Sequence, residues 1–202
     1  NKTFKETWSI EIQQILTSIH INGYWMNEKS QGKALWGDAR QTLSLIPNHY
    51  SFDLILLDAF SPLKCPMLWS EEFLGKLSTR LVPGGRLLTY CSAAAIRSSL
   101  RRCGMQIGSI IPSNNEKKKW SNGTIAIQPS TKSDNNNEPT SWKPLSEMEE
   151  DHLLTRAAVP YRDPDNKSSN KDILKRREKE QMRSNLKNTI NWKRRWKRRL
   201  EA

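Results

Sequence analysis

The segment Phe52–Cys91, "FDLILLDAFSPLKCPMLWSEEFLGKLSTRLVPGGRLLTYC", decides the fold class. Leu54–Leu57 is an unbroken apolar run that meets a carboxylate at Asp58. Its polar bounds suit a strand buried on both faces. Phe60, Pro62, Pro66 and Trp69 crowd the positions behind that acid. Ser70 then stands as an N-cap, with Glu71 and Glu72 in the first turn of a helix. Pro83-Gly84-Gly85 stops the helix and launches a second apolar strand, "RLLTYC". Strand, helix and strand in this order predict an α/β sheet.

Working outward, "ETWSIEIQQILTSIH" places Trp8, Ile12, Ile15, Leu16 and Ile19 near a helical period. "KALWGDA" reads as a short strand ending at Gly37-Asp38, and "RQTLSLIP" as a short helix behind it. Downstream, "SAAAIRSSLRRCG" is a helix closed by Gly104. "MQIGSIIP" and "GTIAIQP" are strands separated by the polar run Ser113–Asn122. A helix and two such strands, after alternating strands and helices, predict a parallel sheet finished by an antiparallel hairpin. A plain dinucleotide-binding sheet need not end this way; the methyltransferase variant of the doubly wound fold does.

The composition supports one ordinary core in 202 residues, 36% of them apolar. No run approaches the roughly 18 apolar residues of a membrane span, and Asn1–Trp25 lacks the pattern of a signal peptide. Cys65, Cys91 and Cys103 have no metal-ligand spacing. They read as reduced thiols, with a cytoplasmic location and no metal expected. The net charge of +12 is concentrated: residues 167–202 carry 14 Lys or Arg against 4 Asp or Glu, a net +10. An electrostatic partner is therefore chiefly the partner of this tail. The expected organisation is a partial domain of this α/β type over 1–128, a polar linker over 129–150, and a basic, largely helical tail over 151–202.

In open parallel sheets ligands bind beyond the carboxyl ends of the strands. Asp58 lies at such an end, and Asp38 ends the preceding strand in the same sense. Pro62 and Pro66 stiffen the loop, while Phe60 and Trp69 offer flat faces for a base. An acid, an aromatic and a rigid loop suit an amine-bearing aromatic substrate. The alternatives are equally physical: an Asp that caps a turn, and aromatics that close the core.

The residues themselves carry a resemblance. "LWGDARQTL", followed by "FDLILLDAFSPLKCPMLWSEEFLGKLSTRLVPGGRLLTYCSAAAIRSSLRRCGM", resembles the methyltransferase domain of the MnmC family. It runs from about Leu35 to Met105. Its specific parts are Gly-Asp-Ala, Asp-Ala-Phe-Ser-Pro with Lys64, Pro66 and Trp69, and Thr-Tyr followed by Arg97. The resemblance implies a Rossmann-like sheet, S-adenosyl-L-methionine as methyl donor, and an aminomethyl-uridine of the tRNA wobble position as acceptor. It implies that Asp38, with Ala39, receives the adenine amino group, and that Asp58 holds the acceptor amine beside the donor methyl. Phe60 and Pro62 would wall the pocket, and Lys64, Trp69 and Arg97 would contact nucleoside or phosphate.

The chain departs from that family in two places. Methyltransferases of this fold cradle the donor on a glycine-rich turn after the first strand. Here Gly23 and Gly32 are the only glycines before Gly37-Asp38, and no Gly-x-Gly precedes Asp53. Truncation at the N-terminus or a degenerate paralogue would each explain this. The terminal hairpin carries "PSNNEKKKWSNG", basic and aromatic at Lys117–Trp120 but without the family's glycine-arginine motif. No flavin-type glycine motif is present, so the FAD domain of the bifunctional relatives is not expected, and the sequence leaves the oligomeric state open.

The tail segment "NWKRRWKRRL" reads three ways: a solvated charged helix, an RNA contact, or a membrane-surface helix. With a tRNA substrate the RNA reading nominates Trp192, Arg194, Arg195, Trp196, Arg198 and Arg199. Membrane attachment is not expected. Two functions follow: a tRNA wobble-uridine methyltransferase domain, or a non-catalytic RNA-binding protein on a decayed methyltransferase scaffold.

Overall fold

The computed structural model describes residues 8–111, 123–130 and 142–201. The chain forms two compact units, Asn1–Leu45 and Ile46–Ala202.

In the first unit, helix α1 (Ile10–Asn22) starts at Ser9, whose hydroxyl accepts from the Ile12 amide. It ends at Gly23, left-handed at φ 73°, a conformation that favours glycine. A small antiparallel hairpin follows, β1 (Tyr24–Met26) with β2 (Gln31–Lys33). Asn27 sets its turn by accepting the Lys29 and Ser30 amides. The strand expected over "KALWGDA" is therefore shorter and earlier, ending at Lys33. Asp38 is not a strand end but the N-cap of the one-turn helix α2 (Ala39–Thr42), accepting from the Arg40 amide at 2.9 Å.

The second unit is built on a five-stranded mixed sheet of order β3-β4-β6-β5-β7. Its strands are β3 (Phe52–Leu56), β4 (Leu81–Thr89), β5 (Gln106–Ile110), β6 (Thr124–Ile127) and β7 (Trp142–Pro144). β3 and β4 are parallel, and all the other pairings are antiparallel. β5 and β6 supply the expected terminal hairpin, with β6 inserted beside β4. The Pro83-Gly84-Gly85 step lies inside β4 rather than before it, as a register shift against β3. A Cβ on Gly85 would stand 2.8 Å from the Val82 carbonyl oxygen, so the backbone closes here only without a side chain.

Helices α3 (Glu71–Ser78) and α4 (Ala94–Arg102) pack against each other and on the sheet. They bury Phe73, Leu74, Leu77, Ile96 and Leu100, with Leu87 and Ala126 among the buried strand residues. β3 is not buried on both faces as its composition suggested. It is an edge strand, and Leu54 and Leu56 are 50% and 69% exposed.

The C-terminal region is not a detached tail. Helix α5 (Glu147–Leu153) begins with a capping box, in which Ser146 and Glu149 satisfy each other's backbone amides. Leu145, Leu153 and Ala158 join Ala94 of α4 in one hydrophobic cluster. The strap that follows pairs Tyr161 with Ser70. Glu72 of α3 meets Arg162 at 2.6 Å and the Asp163 amide at 2.8 Å. Helix α6 (Asn170–Arg183) buries Ile173 and lays the Arg177 guanidinium over the Tyr161 ring, 4.4 Å from its centroid. Helix α7 (Thr189–Glu201) is separate from α6. Ser184 and Asn188 cap the break, accepting from the Leu186 and Ile190 amides. The expected linker thus contains β7 and the start of α5, and the segment beyond it belongs to the unit of the sheet.

Candidate functional site

At the carboxyl ends of the parallel pair β3–β4, the chain leaves the sheet through Leu57, whose amide still bonds the Leu88 carbonyl at 2.9 Å. Asp58 comes next, exposed. Two aromatic donors then fix two consecutive carbonyls. The Tyr90 hydroxyl, at the end of β4, donates to the Ala59 carbonyl at 2.6 Å. The Trp69 indole donates to the Phe60 carbonyl at 2.7 Å. The two rings meet edge to face, 6.2 Å apart at 85°. The Ser61 carbonyl accepts the Lys64 and Cys65 amides, closing a tight turn around Pro62. Asn170 of α6 donates to the Lys64 carbonyl at 3.1 Å.

The backbone from Asp58 to Cys65 is therefore held from the sheet, from a buried indole and from a C-terminal helix. What it presents outward is a carboxylate and the Phe60 ring, 77% exposed. A large apolar ring kept in water by a pinned backbone suits stacking on a planar ligand. The Tyr90 phenol is pushed above its ordinary value, by desolvation first and then by Cys91 and Asp58. It stays a neutral donor at pH 7, as its bond to Ala59 requires.

The structure sorts the expected site residues into groups. Asp58, Phe60, Pro62 and Lys64 share this one loop, with Pro62 half-buried and Lys64 exposed. Trp69 is fully buried. Its ring faces have no access to a base, and its part is to hold the loop from beneath. Arg97 is 1% exposed and is likewise no surface contact. Its guanidinium bonds Thr124 at 2.9 Å, Glu149 at 2.8 Å, Ser109 at 3.2 Å and the Gly123 carbonyl at 3.1 Å. Burial alone would raise the Glu149 carboxyl. The Ser146 amide, Arg97, and the Ser109 and Ser146 hydroxyls outweigh it and hold the group at about 2.

Asp38 and Ala39 belong to the first unit. There the Asp38 carboxylate caps α2 and chelates the Arg40 guanidinium, with the closest contact at 2.6 Å. Its side chain keeps 34% exposure. The basic aromatic segment Lys117–Trp120 lies outside the described residues. Among the described residues no cluster of His, Cys, Asp or Glu is arranged for a metal, and no helix is long and apolar enough to cross a membrane. The cysteines are free thiols, Cys65 and Cys91 buried.

Tyr90, Glu149 and Asn170 are absent from the sequence-derived set. Tyr90 had a readable signal, since it ends the strand next to that of Asp58. So did Glu149, as the last residue of a Ser-x-x-Glu capping box. Asn170 had none, because its bond to the loop spans 106 positions.

On the tail, Trp192 is buried, stacked on His152 with centroids 4.1 Å apart at 17°, and donates to the Met148 carbonyl at 3.2 Å. The Trp196 indole donates to Asp151 at 2.9 Å. Arg195 also pairs with Asp151, and Arg199 pairs with Glu147 at 3.2 Å. The two tryptophans expected to stack on bases instead dock α7 on α5.

A sequence family described as S-adenosyl-L-methionine-dependent methyltransferase matches residues 2–124. Among curated proteins, the chain is 37% identical over 71 residues to the uncharacterized protein MJ0670 of Methanocaldococcus jannaschii, covering 35% of this chain and 19% of that protein. It is 40% identical over 55 residues to the tRNA 5-methylaminomethyl-2-thiouridine biosynthesis bifunctional protein MnmC of Caulobacter sp. (strain K31), covering 27% of this chain and 9% of that protein. These matches span a fifth or less of the relatives' own length. Among solved structures, MNMC2 from Aquifex aeolicus superposes with a TM-score of 0.70 at 27% identity, over 86% of this chain and 52% of that one.

Proposed function

Because this chain belongs to the S-adenosyl-L-methionine-dependent methyltransferase family, we propose that it methylates the aminomethyl nitrogen of a modified wobble uridine in tRNA. The observation that carries this reading is the Asp58 loop. A carboxylate stands at the end of a parallel strand beside an outward aromatic ring, on a backbone clamped by Tyr90 and Trp69. The name of the MnmC relatives supplies the substrate class.

The residues present fit one end of the donor. The partly exposed Asp38 carboxylate, next to the small Ala39, would meet the adenine amino group. S-adenosyl-L-methionine, when bound, would supply an electrophilic sulfonium methyl, which passes to a nucleophile attacking in line as the carbon–sulfur bond breaks and S-adenosylhomocysteine leaves as the neutral thioether. The residues of the chain bind and orient. An alkylammonium must lose a proton before its nitrogen can attack, and the Asp58 carboxylate attracts the ammonium, aligns it and assists transfer of that proton to water. Phe60 stacks on the uracil plane, and Pro62 keeps the loop from following the ligand.

The test is nucleoside analysis of two tRNA pools after incubation with donor and the 202-residue chain, one pool bearing aminomethyl-uridine and one lacking it. Methyl gain confined to the first pool is expected. Methylation of both alike would overturn the acceptor assignment. No methylation of either would favour the non-catalytic RNA-binding reading.

A further inference from the structure

Helix α7 has two chemically different sides. Trp192, Arg195, Trp196 and Arg199 recur at helical spacing and face α5, where Glu147, Asp151, His152 and the Met148 carbonyl receive them. At about 100° per residue, Lys193, Arg194, Lys197 and Arg198 fall within an arc of about 140° centred opposite that side. All four are exposed. No acid lies on α7 before Glu201, whereas α6 interleaves its lysines with Asp172, Glu178 and Glu180. Like charges at i and i+4 destabilise a helix, and the acids of α5 meet Arg195, Trp196 and Arg199 on the docked side.

We propose that Lys193, Arg194, Lys197 and Arg198 form a rigid, sequence-independent contact for the phosphate backbone of an RNA. This deepens the tRNA reading above and rests on it. Docking turns a frayed basic segment into a fixed row of cations, and it removes the tryptophans from any direct role in binding. That removal separates the possible partners. A membrane-surface helix needs its apolar face for the acyl boundary, and here Trp192 and Trp196 are taken by α5. Base stacking by these rings is excluded in the same way. What remains is charge alone, which suits phosphates along a backbone.

The test measures binding of an unmodified tRNA transcript to the full chain across a series of salt concentrations. Lys193→Gln, Arg194→Gln, Lys197→Gln and Arg198→Gln are combined in one variant. The control combines Lys171→Gln, Lys175→Gln, Lys179→Gln and Arg183→Gln on α6. Each phosphate contact contributes about 0.7–0.9 to the log–log salt slope. The α7 variant should therefore flatten the slope by about 3, and Arg194→Gln with Arg198→Gln by about half of that. The α6 control should change it much less.

An unchanged slope in the α7 variant, an equal change in the control, or no tRNA binding by the wild-type chain would each overturn the proposal. Phosphatidylserine vesicles provide the other arm: charge-dependent vesicle binding with an unchanged tRNA slope would assign the stripe to a membrane instead. The transcript carries no methyl acceptor, so this result is independent of the nucleoside analysis. Failure of the salt-slope test and failure of the nucleoside analysis are therefore distinguishable.

Discussion

With Glu149 replaced by Gln, the Arg97 guanidinium would keep its bonds to Thr124, Ser109 and the Gly123 carbonyl but lose the opposing charge 2.8 Å away. Both side chains are almost wholly buried. Breaking such a pair from one side costs about 3–5 kcal/mol, because the remaining charge stays in a poorly polarisable interior. Urea unfolding of Glu149→Gln should show the unfolding free energy reduced by that amount, as a lower midpoint at unchanged slope; a loss under about 1 kcal/mol would contradict the account. The pH dependence has a definite sign. Glu149 titrates at about 2 when folded against an ordinary 4.5, so its contribution is complete above 4.5 and is lost as pH falls toward 2. Arg97 was legible as part of a motif but not as a buried residue. Its partner lies 52 positions away, and only the fold brings them together. At Asp58 the reverse holds: the strand that carries it and the loop behind it were both readable locally.

At the scale of elements, the packing of α7 on α5 carries its own prediction. Burial first, then the charges of Arg97 and Lys193, lower His152 from its ordinary 6.5 to about 4. The folded chain therefore holds a neutral ring beneath Trp192 where the unfolded chain takes up a proton. Stability should fall as pH drops from 6.5 to 4 and not fall further on this account below 4. Thermal melts followed by tryptophan fluorescence should show that decline, and His152→Phe should flatten it while keeping a ring in the stack. An identical decline in the variant would remove His152 from the explanation. The four-residue spacing of Trp192 and Trp196 announced an apolar stripe in the sequence. What the stripe rests on was not legible, because α5 resembles a short acidic helix from any context. The parallel strand, the helix and the hairpin of the sheet were readable from apolar runs and from glycine and proline stops. The exposure of Leu54 and Leu56 was not, since an apolar run does not reveal that its strand lies at an edge.

Across the whole molecule, composition marked a boundary near residue 128 that the fold does not respect. Leu145, Leu153 and Ala158 complete a cluster with Ala94, Glu149 neutralises Arg97, and Asn170 supports the loop of Asp58. A chain ending at residue 128 would leave Arg97 buried without its counter-charge, and circular dichroism should show no cooperative unfolding transition. A sharp native-like transition would mean that the sheet stands alone. Within the unit Ile46–Ala202, the basic C-terminal end is thus part of the scaffold that holds the Asp58 loop. The most direct test of that site is single-turnover transfer of labelled methyl from S-adenosyl-L-methionine to aminomethyl-uridine tRNA. Wild type and Asp58→Ala would be compared after matching their folding by circular dichroism. The account predicts measurable transfer by the wild type and a loss of about 10²–10⁴-fold in the variant. Equal rates, or no transfer by the wild type, would contradict it.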